Sequence, residues 1–308
     1  MKILLLTPIP PDRGAPGAIP AMLHAELTGL AERNDVTLVT PAGPDPVELA
    51  AVDRLGTAGT QIHSVHRHMD PRRWARRARM SRAWLRGQLP WRTVWFHEPT
   101  LQPLLDQLLA DHHFDVVAVQ DNSMAMYQLN TTAATILTEH EARRPRSMQW
   151  QPGPPRQWPA WAFGEADYRR WPRYQRAAWS RFDAVQVFTE RDAQTVSELA
   201  PELRPRVHVA PFGIELPLMT SDVPVDSNAI AFLGNYTHPP NVDAARWLAR
   251  DVLPRVRRHV PTAHLRLAGI HAPSAVRALA SSSVEIVGVV DDADAFLRRH
   301  AVVAAPVR

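Results

Sequence analysis

The chain has 308 residues, of which 45% are hydrophobic and 21% charged, with a net charge of +4 and no cysteine. Disulfides and thiolate metal sites are excluded. No apolar run approaches the roughly 20 residues needed to cross a bilayer, and the length suits two domains better than one. Arginine concentrates at 67–92 and again at 143–181. Such charge attracts phosphates, anionic headgroups or nucleic acid, and it equally suits a solvated basic surface.

Residues 2–7 are continuously apolar and read as a buried parallel strand. Pro8, Pro10 and Pro11 stop that run too early for a signal peptide. A loop at 8–20 carries Gly14 and Gly17. A helix over 19–32 and a strand over 36–40 follow. Strand, glycine loop, helix, strand is the opening of a doubly wound α/β sheet. The glycines let an anion approach backbone N–H groups. Gly14-Ala15-Pro16-Gly17 is not a GxGxxG, so a purely structural loop stands beside the phosphate reading.

Residues 61–65 read as a third strand. The stretch 70–95 carries four tryptophans and many arginines. On a helical wheel Trp74, Ala78, Trp84 and Leu85 share one side, and Arg72, Arg76, Arg79 and Arg86 the other. A basic amphipathic helix with tryptophan can lie on an anionic membrane, while an ordinary helix would turn its apolar side to the core. A helix at 101–109 and a strand at 114–120 come next, with Asp121-Asn122 at the ligand edge of the sheet. A strand at 134–138 runs into Glu139-His140-Glu141, a histidine flanked by carboxylates where polar chemistry is well placed.

Residues 143–172 read as a mobile loop or an excursion near an acceptor site. A helical end at 174–181 and a strand at 184–188 follow. Thr189 caps a helix starting at Glu190, with Asp192 in its first turn. A strand at 207–210 leads into the interdomain crossing. The expected division is an N-terminal Rossmann-like domain at 1–215, a linker at 216–227 and a second such domain at 228–308.

The second domain opens with a strand at 229–233 ending at Gly234. A polar loop follows, and Pro239-Pro240-Asn241 opens a helix reaching 253. A strand entering a tight turn and a helix N-terminus is a standard place for phosphate. Strands at 265–268 and 284–287 end at Gly269 and Gly288. Asp291 is expected to start a helix containing Phe296, and 301–305 is the last strand. A domain halting after an apolar strand exposes a sheet edge, so the natural protein is expected to continue past Arg308.

These motifs carry a resemblance. Phe232-Leu233-Gly234, Pro240-Asn241-Val242-Asp243-Ala244 and Trp247-Leu248 resemble the start of the C-terminal domain in GT-B retaining glycosyltransferases of family 4. The likeness continues through 265–269, 284–288 with Asp291, and 302–308. Pro211-Phe212-Gly213-Ile214 resembles the family's linker motif, which more often reads Pro-Asn-Gly-Val. The resemblance implies a GT-B fold, two Rossmann-like domains facing across a cleft with the second incomplete. It implies transfer of a sugar from a nucleotide-diphosphate sugar to a hydroxyl of a glycan or lipid-linked acceptor, with retention. It implies no cofactor and no metal, with basic side chains and helix N-termini stabilising the departing diphosphate. By the same resemblance, His140 corresponds to the catalytic histidine near the donor sugar. Gly14, Gly17, Gly234, Asn235 and Arg308 correspond to donor-binding positions.

Two departures are visible. The loop after Gly234 lacks the arginine and lysine that family members often carry. The chain also stops before the family's paired glutamates, so this stretch alone is expected to have little or no transferase activity. The expected location is cytoplasmic and, if Trp74, Trp84, Arg72, Arg76 and Arg79 form a membrane surface, peripheral on the inner face. A sugar-nucleotide epimerase of similar fold and a non-catalytic binder of membranes or polyanions are the competing readings. No nucleic-acid partner is expected, since no binding module accompanies the charge.

Overall fold

The strand β1 (Lys2–Leu6) shows how the first unit is built. Leu4 and Leu6 enter one apolar layer, Ile3 and Leu5 the other, and all four are buried. A strand buried on both faces requires helices on both. One layer holds Leu101, Leu105 and Leu108 of α5 (Leu101–Asp111) and Trp179 of α7 (Trp171–Trp179). The other holds Leu27 of α1 (Ala18–Ala31) and Leu55 of α2 (Pro46–Thr57). Each fully buried leucine contributes about 2 kcal/mol by transfer from water.

The computed structural model describes residues 1–15, 17–43, 45–57, 60–67, 73–87, 89–144, 158–213 and 224–306, without the side chains of 57, 73–77, 79 and 158–161. It divides into two compact units, Met1–Ile214 and Glu215–Arg308. Most of the expected linker, up to residue 223, lies outside the described residues.

The first unit is a parallel seven-stranded sheet in the order β3-β2-β1-β4-β5-β6-β7. Its other strands are β2 (Asp35–Ala42), β3 (Gln61–His66), β4 (Val116–Gln120), β5 (Ala134–Glu139), β6 (Ala184–Val187) and β7 (Val207–Val209). The chain moves outward from β1 to β3 and then returns to the other side of β1 at β4. That reversal is the topological switch point of a doubly wound sheet.

The second unit is a parallel four-stranded sheet in the order β10-β9-β8-β11. It consists of β8 (Asp226–Leu233), β9 (His264–Ala268), β10 (Val284–Gly288) and β11 (His300–Val303), with its switch point between β8 and β11. Ile230 and Phe232 pack towards α9 (Pro239–Trp247), and Ala231 faces Phe296 of α12 (Ala293–Arg298).

Several expectations need correction. Part of 143–172, read as a loop, is α6 (Trp158–Tyr168), and α7 starts at Trp171. The helix α2 had not been expected. The helix expected to open at Pro239-Pro240-Asn241 does begin at Pro239, but it changes form at Leu248–Val252, a π-helical turn in which Leu253 N–H donates to Leu248 O. Pro254 has no N–H to pair in α register, so a wider turn precedes it. Helix α12 is capped by Asp292, whose carboxylate accepts from Ala295 N, and not by Asp291.

The apolar side drawn for 70–95 is also different. It falls on α3 (Arg73–Gly87) and α4 (Trp91–Phe96). Leu85 is exposed, whereas Trp84 is buried. Trp84 Nε1 donates to Asp167 Oδ1 at 2.7 Å, Phe163 lies 4.8 Å from its ring, and the Arg170 guanidinium stacks on it at 3.7 Å. A tryptophan held on these sides by α6 and Arg170 is unavailable to a membrane, so Trp84 leaves the expected membrane surface. Arg72 and the side chains of Trp74, Arg76 and Arg79 lie outside the described residues. Among the described residues no helix is long and apolar enough to cross a membrane.

Candidate functional site

The carboxyl ends of β1, β4 and β5 are neighbours at the first unit's switch point. Polar side chains gather there although the strands beneath are apolar. Gln120, Asp121, Asn122, Ser123, Thr138 and Glu139 are all buried. Buried polar groups of this density are stable only when hydrogen-bonded, and all six of these are.

His140 follows β5 and its side chain is only 8% exposed. Gln120 Nε2 donates to Glu26 Oε1 at 2.6 Å and to Thr138 Oγ1 at 3.0 Å. Its Oε1 therefore accepts, and His140 Nε2 lies 3.1 Å from it. That fixes the proton of a neutral imidazole on Nε2. Nδ1 is left as a lone pair with no hydrogen-bond partner among the described residues, 3.6 Å from Asp121 Oδ2. Burial holds His140 below the ordinary histidine range; the Asp121 charge opposes this and Arg92 adds to it. The ring is tilted on Phe188 at 5.4 Å, and Phe188 meets the exposed Phe212 edge-on at 5.2 Å.

Asp121 sits at φ 69°, a left-handed conformation that a short polar side chain tolerates. Its Oδ1 accepts from Ser123 N and Oγ at 2.8 and 2.6 Å, and its Oδ2 accepts from Arg92 Nη2 at 3.0 Å. Glu139 is fully buried. Trp179 Nε1 and Asn122 Nδ2 donate to it, each at 2.8 Å. Burial, seconded by the Asp121 charge, pushes its carboxyl up to about 8. Burial alone pushes Glu26 up to about 7. Both are substantially protonated at neutral pH, so the cluster carries less negative charge than its composition implies.

Gly14 and Gly17 lie in the loop after β1. Gly14 N–H donates to Asp12 Oδ1 at 3.0 Å, and the other oxygen of Asp12 pairs with Arg54 at 2.7 Å. Gly17 has φ 125° and starts α1 without a side-chain cap. The loop thus stands at the same sheet edge as His140, with β4 between their strands.

In the second unit Gly234, Gly269 and Gly288 stand at the carboxyl ends of three adjacent strands. Gly269 is at φ 136°, and a Cβ there would lie 1.8 Å from Gly234 O. No other residue fits this approach. Gly234 N–H donates to Ala268 O, and Gly269 N–H donates to Gly288 O. The following loop folds on itself. Asn235 Oδ1 accepts from Thr237 N and Oγ1, and Asn235 O accepts from His238 N and Asn241 Nδ2. Tyr236 N–H donates to Ile270 O. From 234 to 238, only the Asn235 N–H has no acceptor among the described residues. Helix α9 begins with two prolines, which carry no N–H, and Asn241 N–H donates to His238 O. Its N-terminus is therefore poorer in anion-binding donors than the sequence pattern suggests. Arg308 lies outside the described residues.

Glu26, Gln120, Arg92 and Trp179 escaped sequence reasoning. Each joins the cluster across long stretches of chain, 94 residues in the case of Glu26 and Gln120. The only local signal was an acid on the apolar-spaced helix α1.

Together these features define an α/β protein of the GT-B type, with two Rossmann-like units. Residues 227–308, about a quarter of the chain, match the family model described as "Glycosyl transferases group 1". Sugar transfer is the activity that this match supports. No curated protein matches the sequence. Among solved structures, TarM is similar over 98% of this chain and 79% of its own, with TM-score 0.61 and 8% identity. A trehalose-6-phosphate synthase, studied for glycosyl transfer with retention, is similar over 96% and 74%, with TM-score 0.52 and 12% identity. The N-terminal domain of a Candida albicans trehalose-6-phosphate phosphatase is similar over 90% of this chain, at TM-score 0.49 and 11% identity; the chain spans 66% of that structure. The likenesses to TarM and to the trehalose-6-phosphate synthase establish the fold.

Proposed function

We propose that the protein is a retaining glycosyltransferase moving a sugar from a nucleotide-diphosphate sugar to a hydroxyl of a glycan or lipid-linked acceptor. The observation that carries this reading is the group 1 match over 227–308, the segment holding Gly234, Gly269 and Gly288. The glycine edge receives the diphosphate closely, with the Asn235 N–H as its donor. Gly14, Gly17 and Arg308 are further donor-binding positions in this reading. His140, kept neutral and oriented through Gln120, offers Nδ1 to a hydroxyl of the donor sugar. The developing charge falls on the leaving diphosphate, which takes the acceptor proton, so no protein nucleophile is needed.

A basic surface around Trp74, Arg72, Arg76 and Arg79 facing an anionic membrane would suit a lipid-linked acceptor. Its support is the composition of 70–95 alone.

Incubation of the full-length natural protein with a panel of nucleotide-diphosphate sugars and acceptors, with product anomers read by NMR, tests the reading. Transfer with retention, lowered by His140→Ala, is the expected result. Failure of every nucleotide-diphosphate sugar both to bind and to react overturns it.

A further inference from the structure

At the opposite end of the second unit's sheet lies a cavity of about 640 Å³. It is bounded by the π-helical turn and α10 (Leu253–Arg257) on one side. The turn at 278–283 and the first residue of β10 bound the other. Gly234, Gly269 and Gly288 stand at the carboxyl ends of their strands, so this cavity is separate from the edge proposed to receive the donor.

Its lining contains three guanidinium groups, Arg250, Arg257 and Arg258, and no carboxylate. Several other arginines pair with acids, as Arg54 does with Asp12, Arg176 with Glu202, and Arg266 with Glu285. The three cavity arginines have no acidic partner among the described residues. Arg257 is partly buried and anchored, its Nη1 donating to Ala263 O at 2.6 Å, which leaves the rest of its planar fork for a ligand. Across the cavity Ser281 and Ser283 supply hydroxyls, and the floor is apolar, with Leu253, Leu279 and Val284. The π-helical turn that carries Arg250 is a helical irregularity of the kind common at functional sites. Like charges held together without counter-charge favour an anion, and arginine forks match phosphate geometry. The volume falls in the range of small-molecule sites.

We propose that this cavity binds the phosphate of a small organic phosphate ester, its apolar floor receiving the carbon body. The phosphate can belong to a free metabolite or to a lipid headgroup.

The test uses the full chain at low salt with two probes: glucose 6-phosphate by calorimetry, and mixed phosphatidylcholine–phosphatidylglycerol vesicles by co-sedimentation. Arg250 and Arg258 are exposed, so Arg250→Gln/Arg258→Gln leaves the fold intact, checked by an unchanged melting curve. Arg246→Gln/Arg255→Gln removes the same charge from exposed residues outside the lining. The expected result is at least about tenfold weaker binding in the first variant and little change in the second. Loss of glucose 6-phosphate binding identifies a free ester; the same pattern with vesicles alone identifies a headgroup. On the unaltered chain, the bound probe slows hydrogen exchange at 249–258 and 278–284. Absence of binding by both probes, or equal loss in both variants, overturns the proposal. Neither outcome bears on sugar transfer.

Discussion

At the carboxyl edge of the first unit, His140, Gln120, Asp121, Glu139 and Glu26 form a network of buried side chains. At the same edge of the second unit, three glycines bring backbones into contact and the loop's N–H groups are spent on acceptors within the unit. The first edge holds orientable hydrogen-bonding atoms; the second offers shape and one N–H. The difference teaches that a shared topology does not impose a shared way of making a site. Polar side chains confer chemistry at a desolvation cost, while glycines confer close approach at an entropic one.

The comparison can be broken hardest at Gly269. Gly269→Ala forces a Cβ against Gly234 O at an unfavourable φ, and a loss of roughly 4 kcal/mol is expected in denaturant unfolding of the second unit's signal. An unchanged midpoint would mean that the glycine edge is not closely packed. Next comes His140→Ala, expected to lower transfer about 100-fold with a small change in stability. Turnover equal to that of the unaltered protein would take His140 out of the mechanism.

A pH effect of several kcal/mol follows from the acids of the first edge. Glu26 and Glu139 titrate near 7 and 8 when folded, against 4.5 ordinarily. The folded state therefore holds protons that the unfolded chain releases. Stability from these groups is complete below about pH 4.5 and is lost as the pH rises through about 7 to 8. Urea midpoints should fall over that interval, and Glu26→Gln should flatten part of the fall; a slope identical in the variant contradicts the assignment. Trp84→Phe removes the bond to Asp167 and is expected to cost about 1 kcal/mol while leaving vesicle binding unchanged, since the ring is buried. The smallest effect is at Gly14, where an added Cβ meets only Asp12 Oδ1 at 3.8 Å. Gly14→Ala should change unfolding by less than about 0.5 kcal/mol, in contrast with Gly269.

The strands were legible because buried parallel strands are continuous apolar runs, as in 2–7 and 229–233. Thr189 was legible as a cap because its hydroxyl does accept from Asp192 N. Helix α6 was hidden by proline and glycine, which lower local helical propensity even where packing on Trp84 and Trp91 supports the helix. His140 was visible from its position after a strand. Its tautomer was not, because Gln120 and Glu26 act across the sheet. The poverty of donors at α9 was written in Pro239-Pro240, whose missing N–H groups matter as much as the helix start they signal.

The central claim is that the glycine edge of the second unit receives a nucleotide-diphosphate sugar. Hydrogen exchange with and without a bound donor tests it most directly. The account predicts slowed exchange at 234–241; exchange there that is the same with and without donor would contradict it.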